Sequence, residues 1–161
     1  MPAGENELRT TPSVLDRLID LEPRVSIDPP KSRSLQLQDL KHSVRRDLEW
    51  LLNTRCHSDN MDGLLEEAPR SVAFYGLPDF TGIGAQSPTE QRRLMKMVET
   101  AIKNFEPRFL DPKVSIEPVS STDRQLRFRI SAKLDVEPAP EPVVFDTVLQ
   151  FGSGDFVVTE K

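Results

Sequence analysis

Few residues of this 161-residue chain have the types and spacing that catalysis or metal binding requires. The chain has two histidines, His42 and His57, and one cysteine, Cys56. Cys56 and His57 are adjacent, and adjacent side chains rarely converge on one nucleophilic or metal site. His42 falls within a helical pattern beside Lys41, which favours a place on the polar face. We therefore expect no catalytic residues, no metal site and no cofactor.

Acidic residues are plentiful, and two carboxyl groups could in principle hydrolyse a glycosidic bond. Such a pair needs one acid with a raised pKa and a second carboxyl group about 5–9 Å away across a cleft. The acids here fall in turns or among opposite charges, where solvation is the ordinary explanation: Glu66, Glu67, Asp79, Glu106 and Asp111. The segment Gly82-Ile83-Gly84 lacks the lysine and the strand–loop–helix context of a phosphate loop. The sequence predicts a protein that is not an enzyme.

Composition narrows the class of partner and the compartment. A net charge of −5 argues against a nucleic-acid or anionic-membrane binder, because such proteins need a net basic face. A single cysteine allows no intramolecular disulfide and fits a reducing compartment. The N-terminus carries Glu5 and Glu7 without the apolar segment of a signal peptide, and no apolar run could span a membrane. We expect a cytoplasmic protein without membrane insertion.

Three helical patterns occupy the first two thirds of the sequence. Thr11 and Pro12 predict the start of a short helix that ends before Pro23. A second helix is predicted from Ser34 to about Asn53 and a third from Pro88 to about Phe105, the latter with a capping box of Ser87 and Glu90. Between them, residues 71–75 predict a strand-like or irregular segment. We divide the chain into a flexible tail at 1–12, a short helix and proline-rich linker at 13–33, and one domain at 34–161.

After Pro112 apolar and polar residues alternate with the period of β-strands. Apolar residues of one parity recur from Val114 to Ile116, from Leu126 to Val136 and from Val143 to Phe151. Phe156 to Thr159 predict a short fourth strand. Turns are predicted at 121–123 and 152–154. Helices followed by an antiparallel meander of about four strands make an α+β fold, in which one sheet face packs on helices two and three.

Two parts of this sheet are candidate interaction surfaces. Arg127, Arg129 and Lys133 share one face, which is either solvated or a patch for an acidic partner. The last strand, with Phe156 and Val158, could accept a strand of another chain if it lies at the sheet edge.

Four segments, in this order and spacing, resemble a known family. They are Leu15–Leu18, Leu51–Arg55, residues 71–80 with Tyr75-Gly76-Leu77-Pro78-Asp79-Phe80, and Glu106-Pro107-Arg108. The resemblance is to the TssE family of type VI secretion baseplate subunits and to contractile-phage baseplate wedge subunits, which carry a lysozyme-like label. It covers about residues 12 to 160. Glu-Pro-Arg also occurs at 22–24, but only the copy at 106–108 follows the third helix.

The resemblance implies a scaffold with two surfaces. Its sheet, similar to the handshake domain of sheath subunits, would accept strands from the sheath proteins TssB and TssC. Glu106 and Arg108 would make charged contacts with the core bundle of TssF and TssG, with Pro107 fixing the chain between them. The alternative for this motif is that Glu106 and Arg108 pair with each other. Two other functions remain open for the chain: a peptidoglycan hydrolase, following the family label, and a regulatory adaptor of the same fold.

Overall fold

The computed structural model describes residues 12–20, 23–24, 31–56, 67–80, 87–117, 125–150 and 153–160. Several predicted features lie outside the described residues: most of the tail at 1–12, much of the proline-rich linker, His57, the turn at 121–123 and Gly152.

Three α-helices come first, α1 at Val14–Leu18, α2 at Arg33–Asn53 and α3 at Pro88–Phe105. The predicted cap of α1 at Thr11 is wrong, because Ser13 caps the helix. The Ser13 side chain accepts from the Asp16 N–H, and the Asp16 carboxylate accepts from the Ser13 N–H, which is a complete capping box. The start of α2 is one residue earlier than predicted, and its end at Asn53 is confirmed.

Helix α3 begins at Pro88 and ends at Phe105, as predicted, but without the expected capping box. The Ser87 side chain makes no capping hydrogen bond to the helix. Pro88 at the first position has no N–H, so one fewer backbone donor needs a cap. The segment that was predicted as strand-like or irregular forms two short 3-10 turns, Ala68–Arg70 and Val72–Phe74.

Four antiparallel strands follow, in the spatial order β1-β2-β3-β4, so that β1 and β4 are the sheet edges. Their bounds are Phe109–Ile116, Gln125–Leu134, Glu141–Gln150 and Asp155–Glu160. The alternation predicts strands only after Pro112, but β1 begins earlier, at Phe109. The register shifts between Leu110 and Lys113, and this bulge hides the period of two in the first half of the strand.

The core lies between the sheet and the two long helices. Helix α2 packs along β4 and α3 along β1. The strand residues that were predicted to face the helices do so. Their side chains lie in this core and are at most 9% exposed: Leu126, Phe128, Ile130, Ala132, Leu134, Val143, Phe145, Leu149, Phe156 and Val158. The fold is α+β, with the helices on one face of the meander.

Candidate functional site

The Glu106-Pro107-Arg108 motif joins the end of α3 to the start of β1. The Glu106 N–H donates to the Ile102 carbonyl and closes the last helical turn. The Glu106 residue is only 4% exposed, whereas Pro107 is exposed. A buried carboxylate is stable only when it is paired, so its partners determine what the motif does.

Arg108 is the main partner of Glu106, and its side chain is 12% exposed. Its Nε and Nη2 donate to the two Glu106 carboxylate oxygens, at 2.6 Å each, in a bidentate fork. Nη2 also donates to Asp47 Oδ2 at 2.6 Å, and Nη1 donates to Ser43 Oγ at 3.1 Å. A guanidinium has five N–H groups, and four hydrogen bonds of Arg108 stay within the chain.

The remaining side of this group is closed by α1. Asp16 Oδ2 lies 3.8 Å from Arg108 Nη1 and accepts from Ser43 Oγ. Asp16 Oδ1 accepts from Arg46 Nη2 at 2.8 Å, and Arg46 also contacts Asp47 at 2.8 Å. We call these residues the arginine cluster: Asp16, Ser43, Arg46, Asp47, Glu106 and Arg108. The cluster ties α1, α2 and the α3–β1 connection together.

The protonation state of Asp16 follows from this pairing. Burial by itself raises the pKa of the Asp16 carboxyl, but hydrogen bonds from Ser43, Ser13 and Arg46 outweigh burial. The net result is a pKa well below the usual range for an aspartate. Asp16 is therefore ionised at neutral pH, unlike the acid of a glycosidase, whose pKa is raised.

The arginine and a nearby tyrosine respond to the same charges. Burial by itself lowers the pKa of Arg108, but the hydrogen bonds and charges of Glu106 and Asp47 outweigh burial. The net result is a raised pKa, so the guanidinium is always charged. Burial and then the negative charges of Asp47 and Glu106 raise the pKa of Tyr75. Asp16 and Arg108 are thus fixed charges of opposite sign near neutral pH.

Helix α1 has no buried residue, so the cluster contacts are what hold it. Its apolar side chains face solvent, with Val14 75% and Leu18 76% exposed. Trp50 on α2 is 50% exposed and lies under the Arg46 guanidinium, 5.1 Å from the ring centroid. Arg46 in turn pairs with Asp16 of α1. Val14, Leu18 and Trp50 are therefore candidates for an interaction surface, because large exposed apolar patches mark such sites.

Two side chains of α2 reach the edge strand β4, Arg45 from the middle of the helix and Asn53 from its end. Asn53 Oδ1 accepts from the Phe156 N–H at 2.8 Å, and Asn53 Nδ2 donates to the Phe156 carbonyl at 2.9 Å. Arg45 Nη1 donates to the Val158 carbonyl at 3.3 Å. The side chains of Phe156 and Val158 are buried in the core, so only their backbone faces the edge.

The three basic residues predicted to share a face lie on the side of β2 away from the helices. Arg127 and Lys133 are exposed, and Arg129 is half-buried. Arg129 pairs with Glu117 and, at 3.1 Å, with Asp146 on the neighbouring strands. Part of this face is therefore neutralised within the sheet.

A family model for baseplate wedge protein gp25 matches residues 38–139. The match spans more than half of the chain, from α2 to the end of β2 and beyond. The chain belongs to the gp25 baseplate wedge family. This agrees with the resemblance to TssE, and it gives the chain a structural role in the baseplate of a contractile machine. No curated protein matches the chain.

In this baseplate wedge protein, two of the family-like segments meet at the end of α2. The Leu77 N–H donates to the Thr54 carbonyl at 2.9 Å. Gly76 has a φ of 110°, and a Cβ there would lie 2.4 Å from the Thr54 oxygen, so only glycine fits. Arg55 stacks over the Phe80 ring at 4.2 Å and donates to the Gly154 carbonyl at 2.8 Å. The segment 75–80 thus positions the end of α2 against β4.

An apolar groove of about 410 Å³ lies between α3 and residues 67–80 of this wedge protein. Its lining includes Phe74, Met97 and Phe105, and its charged residues are Arg93 and Lys96. The described residues that line the groove include no carboxylate and no histidine. Across the described part of the chain, no group of three or more potential ligands could hold a metal ion. No described helix is long and apolar enough to cross a membrane.

The sequence indicates Glu106 and Arg108 but not the partners of Arg108 on α2. Ser43 and Asp47 lie four residues apart, beside the buried Val44 and Leu48. Two polar residues at helical spacing on the border of an apolar stripe are a weak signal that a partner comes from elsewhere in the fold. Asn53 gave no comparable signal, since it closes the helical pattern as many polar residues do.

Proposed function

We propose that this baseplate wedge protein docks on a core bundle of TssF and TssG in the cytoplasm, at the inner-membrane complex. Its second task is to template the sheath by strand pairing with TssB and TssC. The observation that supports docking is the arginine cluster, which holds an exposed apolar helix beside the Glu106-Pro107-Arg108 motif.

The motif takes an indirect part in this proposal. Arg108 uses four hydrogen bonds within its own chain, so it has little left to offer a partner. Its role is to position α1, while Val14, Leu18 and the exposed Pro107 supply the contact. Removing exposed apolar side chains from water against a partner is favourable, and a rigid support lowers the entropy cost of binding.

Co-purification with TssF and TssG tests docking. Leu18→Asp places a charge on the apolar face of α1 without touching the core, because Leu18 is exposed. We expect capture to fall at least about tenfold, as for a central interface residue. Val72→Asp is the matched control, since Val72 is 90% exposed and lies in the segment 67–80 instead. Equal capture of the Leu18→Asp variant and the wild type would refute the proposed docking surface.

A further inference from the structure

The two edges of the sheet differ in what lies against their outward backbone groups. On β4, the Asn53 carboxamide donates to and accepts from Phe156, as one residue of a neighbouring strand would. Arg45 takes the next outward carbonyl, that of Val158. A further pair, Lys41 with Glu160 at 3.3 Å, holds α2 along the same strand. A strand that paired with β4 would have to displace these side chains.

On β1, one hydrogen bond shows which backbone groups point away from the sheet: the Glu117 N–H donates to the Arg127 carbonyl of β2. Bonded and non-bonded pairs alternate along an antiparallel ladder, so Ser115 also bonds to β2 while Val114 and Ile116 point their N–H and C=O groups away from it. Among the described residues, no side chain makes a hydrogen bond to these outward groups of Val114 and Ile116.

The first half of β1 is protected as edge strands commonly are. The register shifts between Leu110 and Lys113, Asp111 has a φ of 48°, and Pro112 has no N–H to offer. Only the second half, from Val114 to Ile116, has the regular geometry that a new strand can extend.

The charges beside this open half favour one kind of strand. Lys113 is exposed at the edge, and Arg127 and Lys133 lie on the same outer face of β2. Among the described residues, none of these three has an ion-pair partner, in contrast to Arg129. An acidic residue opposite Lys113 would form a cross-strand pair. The core-facing positions would continue the buried row of Val114 and need apolar residues.

We propose that β1 between Val114 and Ile116 is the edge that accepts a partner strand, and that α2 closes β4 through Asn53 and Arg45. The accepted segment is extended, with acidic residues on one side and apolar residues on the other. This inference rests on the proposed sheath templating, because it names which edge of the sheet serves that function.

Site-directed cross-linking tells the two edges apart. The only native thiol is removed by Cys56→Ser, and single cysteines are then placed at two exposed strand positions, Ser115→Cys on β1 and Thr159→Cys on β4. Each variant carries a short photoreactive maleimide and is mixed with the purified TssB–TssC complex. We expect a cross-link from position 115 at least about tenfold stronger than from position 159.

Stronger cross-linking from position 159 overturns the proposal, and so does retained capture with no cross-link from either position. If the wild type captures no TssB–TssC at all, the proposed templating fails instead, so the two failures are distinguishable.

As a second measurement, Ile116→Pro removes one outward N–H that is not used within the sheet. We expect about tenfold weaker capture, with Ser115→Ala unchanged, and undiminished capture by a folded Ile116→Pro variant contradicts the assignment. The cross-linking result decides if this variant fails to fold.

Discussion

Arg108 and Arg127 are the same residue type on opposite sides of the sheet, and they have opposite environments. Arg108 is 12% exposed and makes four hydrogen bonds to Glu106, Ser43 and Asp47. Arg127 is exposed on the outer face of β2. The first joins three parts of the chain, and the second is free to meet solvent or a partner. The fold around a charge, more than the charge itself, decides whether the residue positions structure or offers a contact.

This difference has an energetic side. Removing one partner of a buried ion pair leaves the other charge desolvated and costs about 3–5 kcal/mol, whereas an exposed charge contributes about 0–1 kcal/mol. Four variants, taken in order of expected effect, test whether the two regions differ as much as their environments indicate.

The largest effect is expected for Arg108→Ala. The change leaves Glu106, which is 4% exposed, without its guanidinium partner, while Asp47 keeps only its contact with Arg46. The free energy of unfolding should fall by about 3–5 kcal/mol. Denaturant titration measures it, with Arg108→Lys as an intermediate that keeps the charge but not the bidentate fork. A loss below about 1 kcal/mol would mean that the arginine cluster does not hold α1, α2 and the α3–β1 connection together.

The next effect is expected for Asn53→Ala, which removes both hydrogen bonds to Phe156. Losing these two hydrogen bonds should lower the free energy of unfolding by about 2 kcal/mol, at about 1 kcal/mol for each bond. Amide exchange at Phe156 should also become faster. Gln150→Ala, at an exposed position at the end of β3, is the control. If the two variants unfold at the same denaturant concentration, the closure of β4 by α2 is not supported.

A smaller effect is expected for Asp16→Asn, because α1 has no buried residue, so its release would leave the core intact. Amide hydrogen exchange in Val14–Leu18 should become about tenfold faster, equivalent to about 1.4 kcal/mol. Trp50 is the only tryptophan and lies under Arg46, the partner of Asp16, so its fluorescence should shift as well. Asp39→Asn, which affects an exposed pair with Lys31, should change neither signal.

The same carboxylate gives a pH dependence with a defined sign. Because the pKa of Asp16 is lower in the folded protein, its contribution is present above the ordinary carboxyl pKa of about 4 and is lost as the pH falls below that value. Exchange of the α1 amides, corrected for its intrinsic pH dependence, should therefore rise in acid in the wild type. The Asp16→Asn variant should show a smaller rise. An equal rise in both proteins would assign the acid sensitivity to other groups.

The smallest effect is expected for Arg127→Ala combined with Lys133→Ala on the outer face. Both side chains are exposed, so the free energy of unfolding should change by less than about 0.5 kcal/mol. A loss similar to that of Arg108→Ala would remove the contrast between the two regions. The same double variant should weaken capture of an acidic strand more strongly at low salt than at high salt.

Much of the local structure could be predicted from the sequence. The end of α2 at Asn53, both ends of α3 and the inward parity of β2 and β3 follow from periodicity and from Pro88 and Pro107. The first half of β1 could not be predicted, because the bulge after Leu110 breaks the alternation on which the prediction depends. Thr11 followed by Pro12 predicts a cap for α1 two residues too early, although Ser13 and Asp16 have the spacing of a capping box.

The sequence alone determined the fold class, the family-like motifs and the position of Glu106-Pro107-Arg108 after a helix. Periodicity and short motifs act over a few residues, so they can be seen in a single chain. Only the tertiary structure decided that Arg108 points inward to Asp47, 61 positions away, and that Asn53 closes β4 at Phe156, 103 positions away. Such pairings depend on how helices and strands pack, because hydrogen bonds form between groups that folding brings within about 3 Å of each other.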